Sequence, residues 1–124
     1  SEIVQNHKEN AKIYKEYFEN NKNVELLNVS SNADPSYWVF TLLIKDSLIR
    51  DELLKSLNEK GVNAGLVHVP NQHYTCFKDS LVNLPGVDYF NKHQVSLPCG
   101  WWLSRDDVKN ICNIFNETIN RLIK

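Results

Sequence analysis

Apolar residues recur at helical spacing in the first part of the chain. Over residues 1–20 they fall three, four and seven positions apart among lysines and glutamates, which predicts one stripe of an amphipathic helix. The members of this stripe are Val4, Ala11, Tyr14 and Phe18. A second helix begins after Asp46 or Ser47, either of which can serve as its N-cap. It ends before Gly61, because glycine is favoured just beyond a helix C-terminus.

The C-terminal part of the chain carries the clearest helical period. Ser104 and Asp107 form a capping-box-like start, with aspartate in place of the usual glutamate. The apolar residues that follow repeat about every 3.6 positions. They are Val108, Ile111, Cys112, Phe115, Ile119 and Leu122. A shorter helix is predicted over residues 87–93.

Segments rich in branched and aromatic residues, bounded by turn signals, predict strands. They are residues 24–29, 37–44, 63–69 and 94–97. Residues 37–44 lack polar alternation, as expected of a strand with both faces covered. Residues 70–85 are predicted to be irregular, with a single helical turn near Phe77.

Helices and strands in this order favour a two-layer α/β (α+β) sandwich, in which helices pack on one small sheet. The length of 124 residues suits one domain spanning 1–124. The pattern does not predict the order of the strands.

Composition excludes several function classes. Fifteen acidic and fourteen basic residues leave a net charge of −1, so we expect no nucleic-acid partner. The longest apolar stretch, eight residues at 37–44, is too short for a bilayer that needs about twenty, so we expect no membrane segment. Three cysteines without a CxxC motif indicate reduced thiols and a cytoplasmic location.

Reactive side chains are densest at residues 68–77. His68, His73 and Cys76 invite a metal interpretation, with Cys99 as a fourth ligand. His73 and Cys76 have the spacing of a zinc-ligand pair, but the sequence offers no second matching pair. We therefore expect no metal site and interpret the segment as a loop that bonds its own backbone.

The remaining thiols and histidines predict no catalytic group. Cys99 lies between a proline and a glycine, but no histidine is tied to it by spacing, and an apolar setting raises a thiol pKa. Cys112 lies on the apolar stripe of the last helix and belongs in the core. His7 and His93 lie among polar residues on helices, where we expect them to be solvated.

Several motifs are shared with one enzyme family. Residues 35–44 read PSYWVFTLLI and precede a helix with the pattern RDEL…L…GV. Residues 68–77 read HVPNQHYTCF, residues 84–88 read LPGVD, and residues 98–103 read PCGWWL. In this order the motifs resemble the C-terminal part of the PLP-dependent sugar aminotransferases of the DegT/DnrJ/EryC1/StrS family. LPGVD and PCGWWL are the specific ones, and the resemblance spans essentially the whole chain.

The resemblance implies a fold-type-I enzyme whose small C-terminal domain, a mostly antiparallel sheet with packed helices, closes over a larger N-terminal domain. It implies a homodimer that transfers an amino group from glutamate, through PLP, to a nucleotide-linked keto-sugar. The family's Schiff-base lysine and the aspartate that pairs the pyridinium nitrogen lie in the large domain, and nothing here matches them. We therefore expect no catalytic residue in this chain, inactivity alone, and a fragment end at Ser1, with the helix at residues 1–20 leading from the missing large domain.

Within the chain, the resemblance places residues 68–77 nearest the substrate. The residues that match the family's loop motif, and that we expect beside the nucleotide-sugar, are His68, Asn71 and Tyr74. Gln72 replaces the motif's aspartate, and residues 69–70 replace its basic residues, so a charge that could meet phosphate is missing.

Trp101 and Trp102 are adjacent, so in an extended chain their rings point to opposite sides, and a small sandwich can bury only one of them well. With the resemblance, one ring is expected in the core and the other against the large domain or near the mouth of the site. Packing roles for both rings stay open.

Two other function classes stay open. One is a stand-alone α/β module that binds a small ligand or a protein, favoured by a start codon directly before Ser1. The other is an unrelated structural domain or metal-binding loop protein, favoured by stoichiometric zinc. An upstream segment with a Schiff-base lysine favours the aminotransferase.

Overall fold

The computed structural model describes residues 1–80 and 82–123 as one sheet packed with helices. The helices are α1 (Glu2–Phe18), α2 (Arg50–Glu59), α3 (Pro85–His93) and α4 (Arg105–Leu122), and the strands are β1 (Val24–Leu26), β2 (Val39–Ile44) and β3 (Gln94–Pro98). Short 3₁₀ helices occupy Ser47–Ile49, Asn71–His73 and Thr75–Ser80. The predicted α+β class is confirmed, and so is the helical turn near Phe77. Leu81, within the predicted irregular segment, lies outside the described residues.

The sheet is antiparallel, with the order β1-β2-β3. Val24 pairs with Ile44 at one edge, and Leu42 pairs with Val95 on the other side of β2. Because side chains alternate across a strand, Phe40, Leu42 and Ile44 share one face. This face is buried in the hydrophobic core.

The core lies between that face and the helices. Phe18 of α1 meets Phe115 of α4, with ring centroids 4.9 Å apart. Glu9 pairs with Arg105 at 3.0 Å and Tyr17 donates to Asn113 at 3.1 Å, so α1 and α4 run in the same direction. The apolar stripe predicted for α4 is confirmed as core-facing, and so are Ala11, Tyr14 and Phe18 of the α1 stripe, whereas Val4 lies outside the core.

Local signals set the start of α4 and the end of α2 as predicted, whereas α2 itself begins only at Arg50, after a 3₁₀ turn. The Ser104 hydroxyl accepts from the Asp107 N–H at 3.0 Å, and the Asp107 carboxylate accepts from the Ser104 N–H at 2.8 Å, which completes a capping box. Asp46 caps the 3₁₀ turn before α2 by accepting from the Leu48 N–H at 3.0 Å. Gly61 follows α2 with φ +83°, a conformation that favours glycine.

The strand predicted at residues 63–69 is wrong. Within this segment only Gly65 pairs with β3, through two main-chain hydrogen bonds to Ser96 of 3.0 and 2.9 Å. The Ala64 carbonyl accepts from the Asn58 side chain, and the Val67 N–H donates to the Gln94 side chain. The Val67 N–H, which a continued ladder would pair with β3, is thus taken by a side chain, whereas the Ala64 carbonyl faces away from β3.

The other strands are shorter than their patterns predict. The first ends at Leu26 rather than at residue 29, and the second begins at Val39 rather than at Tyr37. Tyr37 has φ 54°, in the left-handed region that interrupts an extended strand.

Both histidines predicted to be solvated instead bind the backbone. His7 donates from Nδ1 to the Tyr37 carbonyl at 2.8 Å. His93 donates from Nδ1 to the Ile44 carbonyl at 2.5 Å, and its ring stacks on Tyr89. Their polar sequence neighbours predict solvation, but in the folded chain a main-chain carbonyl of a distant segment lies within hydrogen-bonding distance of each ring.

Candidate functional site

The segment at residues 68–77 leaves the sheet edge beside β3. Its base is held by Gln94, which is fully buried: Oε1 accepts from the Val67 N–H at 3.0 Å, and Nε2 donates to the His68 carbonyl at 2.9 Å. Pro70 is buried beneath the loop, whereas the side chains of His68, Asn71 and Tyr74 are exposed.

A 3₁₀ turn aligns two of the three predicted substrate-proximal residues. The Tyr74 N–H donates to the Asn71 carbonyl at 3.0 Å and closes the turn Asn71–His73. Residues three apart in a 3₁₀ turn lie on the same side, so Asn71 and Tyr74 face a common space. The structure brings them together with His68 around a cavity of about 320 Å³, which is lined by Leu66, Val67, His68, Val69, Asn71 and Tyr74.

The chemistry of this cavity is polar and without fixed carboxylate or ammonium charge. An imidazole, a carboxamide and a phenol provide both donors and acceptors, which suits a ligand rich in hydroxyl groups. The lining contains no lysine amine and no carboxylate. It therefore does not fit PLP on its own, since PLP takes a lysine and a partner for its pyridine nitrogen.

The remaining reactive side chains do not form a metal site. Cys99 is buried away from the loop, and its thiol donates to the His7 carbonyl at 3.4 Å. Across residues 1–80 and 82–123, no three His, Cys, Asp or Glu side chains cluster closely enough to hold a metal ion.

Burial raises the pKa of the two inner thiols, those of Cys99 and Cys112. It raises the pKa of Cys99 to about 12 and that of Cys112 to about 12, so neither is a thiolate near neutral pH. Cys112 packs in the core as predicted.

A large apolar surface adjoins the loop. All three tryptophans are exposed: Trp38 by 67%, Trp101 by 54% and Trp102 by 63%. Trp38 and Trp102 line one groove of about 310 Å³ together with Leu66 and Val67. Trp38 and Val67 also line a second groove of about 620 Å³ that extends towards α1.

The prediction that one ring of the Trp101-Trp102 pair enters the core is wrong. The turn after β3 projects both rings outwards, 6.2 Å apart and nearly perpendicular. Trp102 also lies edge-on to His7, with centroids 6.4 Å apart. Trp102 thus has a packing partner on α1 although it is exposed.

Trp38 owes its outward position to the residue before it. The left-handed Tyr37 is held by α1 at two points: its carbonyl accepts from His7, and its hydroxyl accepts from Lys15. The Lys15 ammonium also lies 4.6 Å from the centre of the Tyr37 ring. Backbone strain of this kind persists where neighbouring contacts impose it.

Sequence reasoning missed Gln94, Tyr37 and Trp38. The sequence offered only a weak signal for Gln94: it is a polar residue at the start of an apolar strand. Glutamine is mostly exposed in proteins, so its burial was not expected. Tyr37 and Trp38 lay in a continuous apolar run, which gives no sign of a left-handed residue.

The structure is of the α+β class: helices cover one face of the sheet, and an exposed polar loop lies beside exposed tryptophans. Residues 1–116 match the DegT/DnrJ/EryC1/StrS aminotransferase family, and the chain belongs to that family. Comparison with curated proteins gives no match.

Solved structures of sugar aminotransferases contain the same fold. The chain is similar to CalS13 of Micromonospora echinospora, with 26% identity, a TM-score of 0.85, and coverage of 94% of this chain and 31% of that one. AtS13 of Actinomadura melliaura is 28% identical with a TM-score of 0.81, and the match covers 94% of this chain and 30% of that one. PseC of Helicobacter pylori, an aminotransferase of pseudoaminic acid biosynthesis, shares the fold at 22% identity and a TM-score of 0.87, over 96% and 33%.

The chain spans about a third of the length of these structures. Within the described ranges, 1–80 and 82–123, no helix is both long and apolar enough to cross a membrane.

Proposed function

We propose that this chain is the C-terminal small domain of a PLP-dependent nucleotide-sugar aminotransferase, inactive alone. One observation carries the proposal: a family match over residues 1–116 coincides with a fold that fills about a third of sugar aminotransferase structures. The parent would be a cytoplasmic homodimer that uses glutamate and a nucleotide-linked keto-sugar. Three free cysteines support the reducing location.

The loop would contribute to substrate binding rather than to the chemical step. His68, Asn71 and Tyr74 surround one cavity and present hydrogen-bonding groups suited to sugar hydroxyls. With no lysine or carboxylate among them, they would orient a substrate whose reacting atoms are held elsewhere. PLP, when bound to the parent, would supply the electron sink for amino transfer.

The exposed tryptophans would face the large domain. Trp101 and Trp102 project from the same turn, and Trp38 extends their surface across the groove. Tryptophan is enriched at the energetic centres of interfaces, and a ring fixed before association loses little entropy on docking.

The first experiment is to read the coding frame upstream of Ser1. We expect a long α/β domain with a Schiff-base lysine. The purified 124-residue chain, mixed with PLP and reduced with borohydride, should then show no stoichiometric modification at a single lysine and no transaminase activity. A frame that begins directly before Ser1, or one lysine that traps PLP, would contradict the proposal and favour a stand-alone binding module.

Site variants of the longer protein test the loop. His68→Ala, Asn71→Ala and Tyr74→Phe should raise KM for the sugar substrate by about tenfold, the effect of one lost hydrogen bond to a ligand. His73→Ala is the matched control, because His73 lies on the same exposed loop but does not line the cavity. Equal effects of His68→Ala and His73→Ala would refute the assignment.

Stability measurements test the tryptophan surface. Trp102→Ala should lower the melting temperature of the longer protein while changing that of the 124-residue chain much less. Leu48→Ala, at an exposed position on the 3₁₀ turn before α2, is the control and should affect neither. Identical shifts for Trp102→Ala in both proteins would argue against an interface.

A further inference from the structure

At the base of the loop, the side chain of Gln94 makes the hydrogen bond to the Val67 N–H that its main-chain carbonyl would make in a regular sheet. Extending the antiparallel ladder beyond the Gly65–Ser96 pair would place Val67 opposite Gln94, with the Val67 N–H bonded to the Gln94 main-chain carbonyl. That carbonyl instead accepts from Arg50 Nη1 at 3.2 Å. The Val67 N–H instead donates to the Gln94 side chain at 3.0 Å.

The other half of the carboxamide redirects the chain. Gln94 Nε2 donates to the carbonyl of His68, one residue beyond the expected ladder position, at 2.9 Å. Both polar atoms of a fully buried side chain are therefore bonded to the peptide groups where the loop leaves the sheet. An amide that bridges two main-chain groups sets their separation and direction, because hydrogen bonds weaken steeply when they bend.

We propose that Gln94 is a positioning residue for the loop cavity: its buried carboxamide fixes where the chain departs from the sheet and so holds His68 opposite Asn71 and Tyr74. This inference rests on the proposed function for the role of the cavity, but its geometric part stands alone. Gln94 does not line the cavity itself and acts through the main chain of Val67 and His68.

Two variants of the 124-residue chain separate positioning from filling of the core. Gln94→Met keeps the volume but leaves the Val67 N–H and the His68 carbonyl without their partner. Gln94→Glu keeps the shape: the carboxylate repels the His68 carbonyl, whereas the protonated acid can donate to it and accept from Val67, as the amide does. The readout is amide hydrogen exchange and chemical shift by NMR, at about pH 5 and about pH 8, which bracket a buried carboxyl group.

We expect Gln94→Met to accelerate exchange at Val67 by about tenfold, the factor associated with one buried hydrogen bond. The shifts of His68, Asn71 and Tyr74 should change, while the exchange of Leu42 and Val95 in the sheet stays within about twofold. Gln94→Glu should show the same changes at the higher pH and approach the wild type at the lower pH. This rescue by protonation would not arise from a role in packing alone.

Two results would overturn the inference. One is wild-type exchange at Val67 in Gln94→Met. The other is uniform acceleration across the sheet in both variants at both pH values, which would make Gln94 an ordinary stabilising residue.

A second readout in the longer protein keeps this inference distinct from the proposed function. There Gln94→Met should raise KM for the sugar substrate more than it lowers kcat. If the NMR changes occur but KM does not move, Gln94 positions a loop that does not bind substrate, and the assignment of the loop fails instead.

Discussion

The indole ring of Trp102 lies directly over the α-carbon of Gly100. A Cβ atom built at Gly100 would come within 2.1 Å of the Trp102 ring, far closer than van der Waals contact allows. Gly100 does not have positive φ, so the requirement for glycine is steric rather than conformational. The Trp102 ring therefore packs on the backbone at Gly100 although most of its surface is exposed.

Substituting Gly100 should displace that ring. In Gly100→Ala we expect the NMR signal of the Trp102 indole N–H to shift and near-ultraviolet circular dichroism to fall. The loss of stability should be about 1 kcal/mol, at the low end for overpacking, because an exposed ring can move into solvent. Gly86→Ala on α3, where no atom lies within 4 Å of the added Cβ, should leave the indole signals unchanged.

Removing the Asn10 side chain should destabilise the chain by about 2 kcal/mol, since the buried Gly100 carbonyl and the partly buried Leu103 carbonyl lose their partner. Asn10 is buried on α1, and its Nδ2 donates to the Gly100 carbonyl at 3.0 Å and to the Leu103 carbonyl at 3.4 Å. Urea denaturation of Asn10→Ala measures the change, with Asn6→Ala one turn earlier as the comparison. Equal midpoints for the two variants would be inconsistent with this role.

The three thiols should react at different rates. Cys76 is exposed, whereas burial raises the pKa of both Cys99 and Cys112 to about 12. At about pH 8, Ellman's reagent should modify one thiol rapidly in the native chain and all three in denaturant. Cys76→Ser should abolish the rapid phase, and a persistent rapid phase would show that an inner thiol is accessible.

Acid should weaken the N-terminal cap of α4. Hydrogen bonds from the Ser104 hydroxyl and N–H hold the pKa of Asp107 below its ordinary value of 3.8. A lowered pKa gives stability that is complete above 3.8 and is lost as the pH falls through the folded-state value. The melting temperature should therefore drop as the pH falls below about 4.

Variants of the cap isolate that contribution. Asp107→Asn should flatten the acid part of the melting curve, and Ser104→Ala should flatten it in part, because it removes the hydroxyl donor and leaves the Ser104 N–H. The double variant should show no more acid dependence than Asp107→Asn alone, because that change already removes the carboxylate that both Ser104 donors bind. Full additivity would indicate that the two residues act separately.

Local chemistry explains why the helices and the fold class could be predicted. The apolar stripes of α1 and α4, the Ser104–Asp107 box and Gly61 each act within a few residues, so the sequence pattern contains the whole cause. The contacts that make the candidate site are between distant segments. Gln94 meets Val67 and His68 across 26 to 27 positions, and no periodicity encodes that encounter.

The same distinction accounts for the errors. Residues 63–69 have the composition of a strand, but the Gln94 side chain takes the Val67 N–H that would have continued the ladder. His7 and His93 have polar sequence neighbours, yet each lies beside a carbonyl of another segment. Trp101 and Trp102 follow the sheet on a turn, where the rule of alternating sides for an extended chain does not apply.

The parallel packing of α1 on α4 has a consequence for the folding reaction. Glu9 and Arg105 are separated by 96 positions, as are Tyr17 and Asn113. The entropy cost of closing such a loop is incurred before Phe18 and Phe115 can meet, and contacts between segments so far apart in the sequence slow folding. A nascent chain that has not yet released Phe115 from the ribosome could stack Tyr14 on Phe40 but would leave Phe18 without its partner, so completion of the core waits for the synthesis of α4.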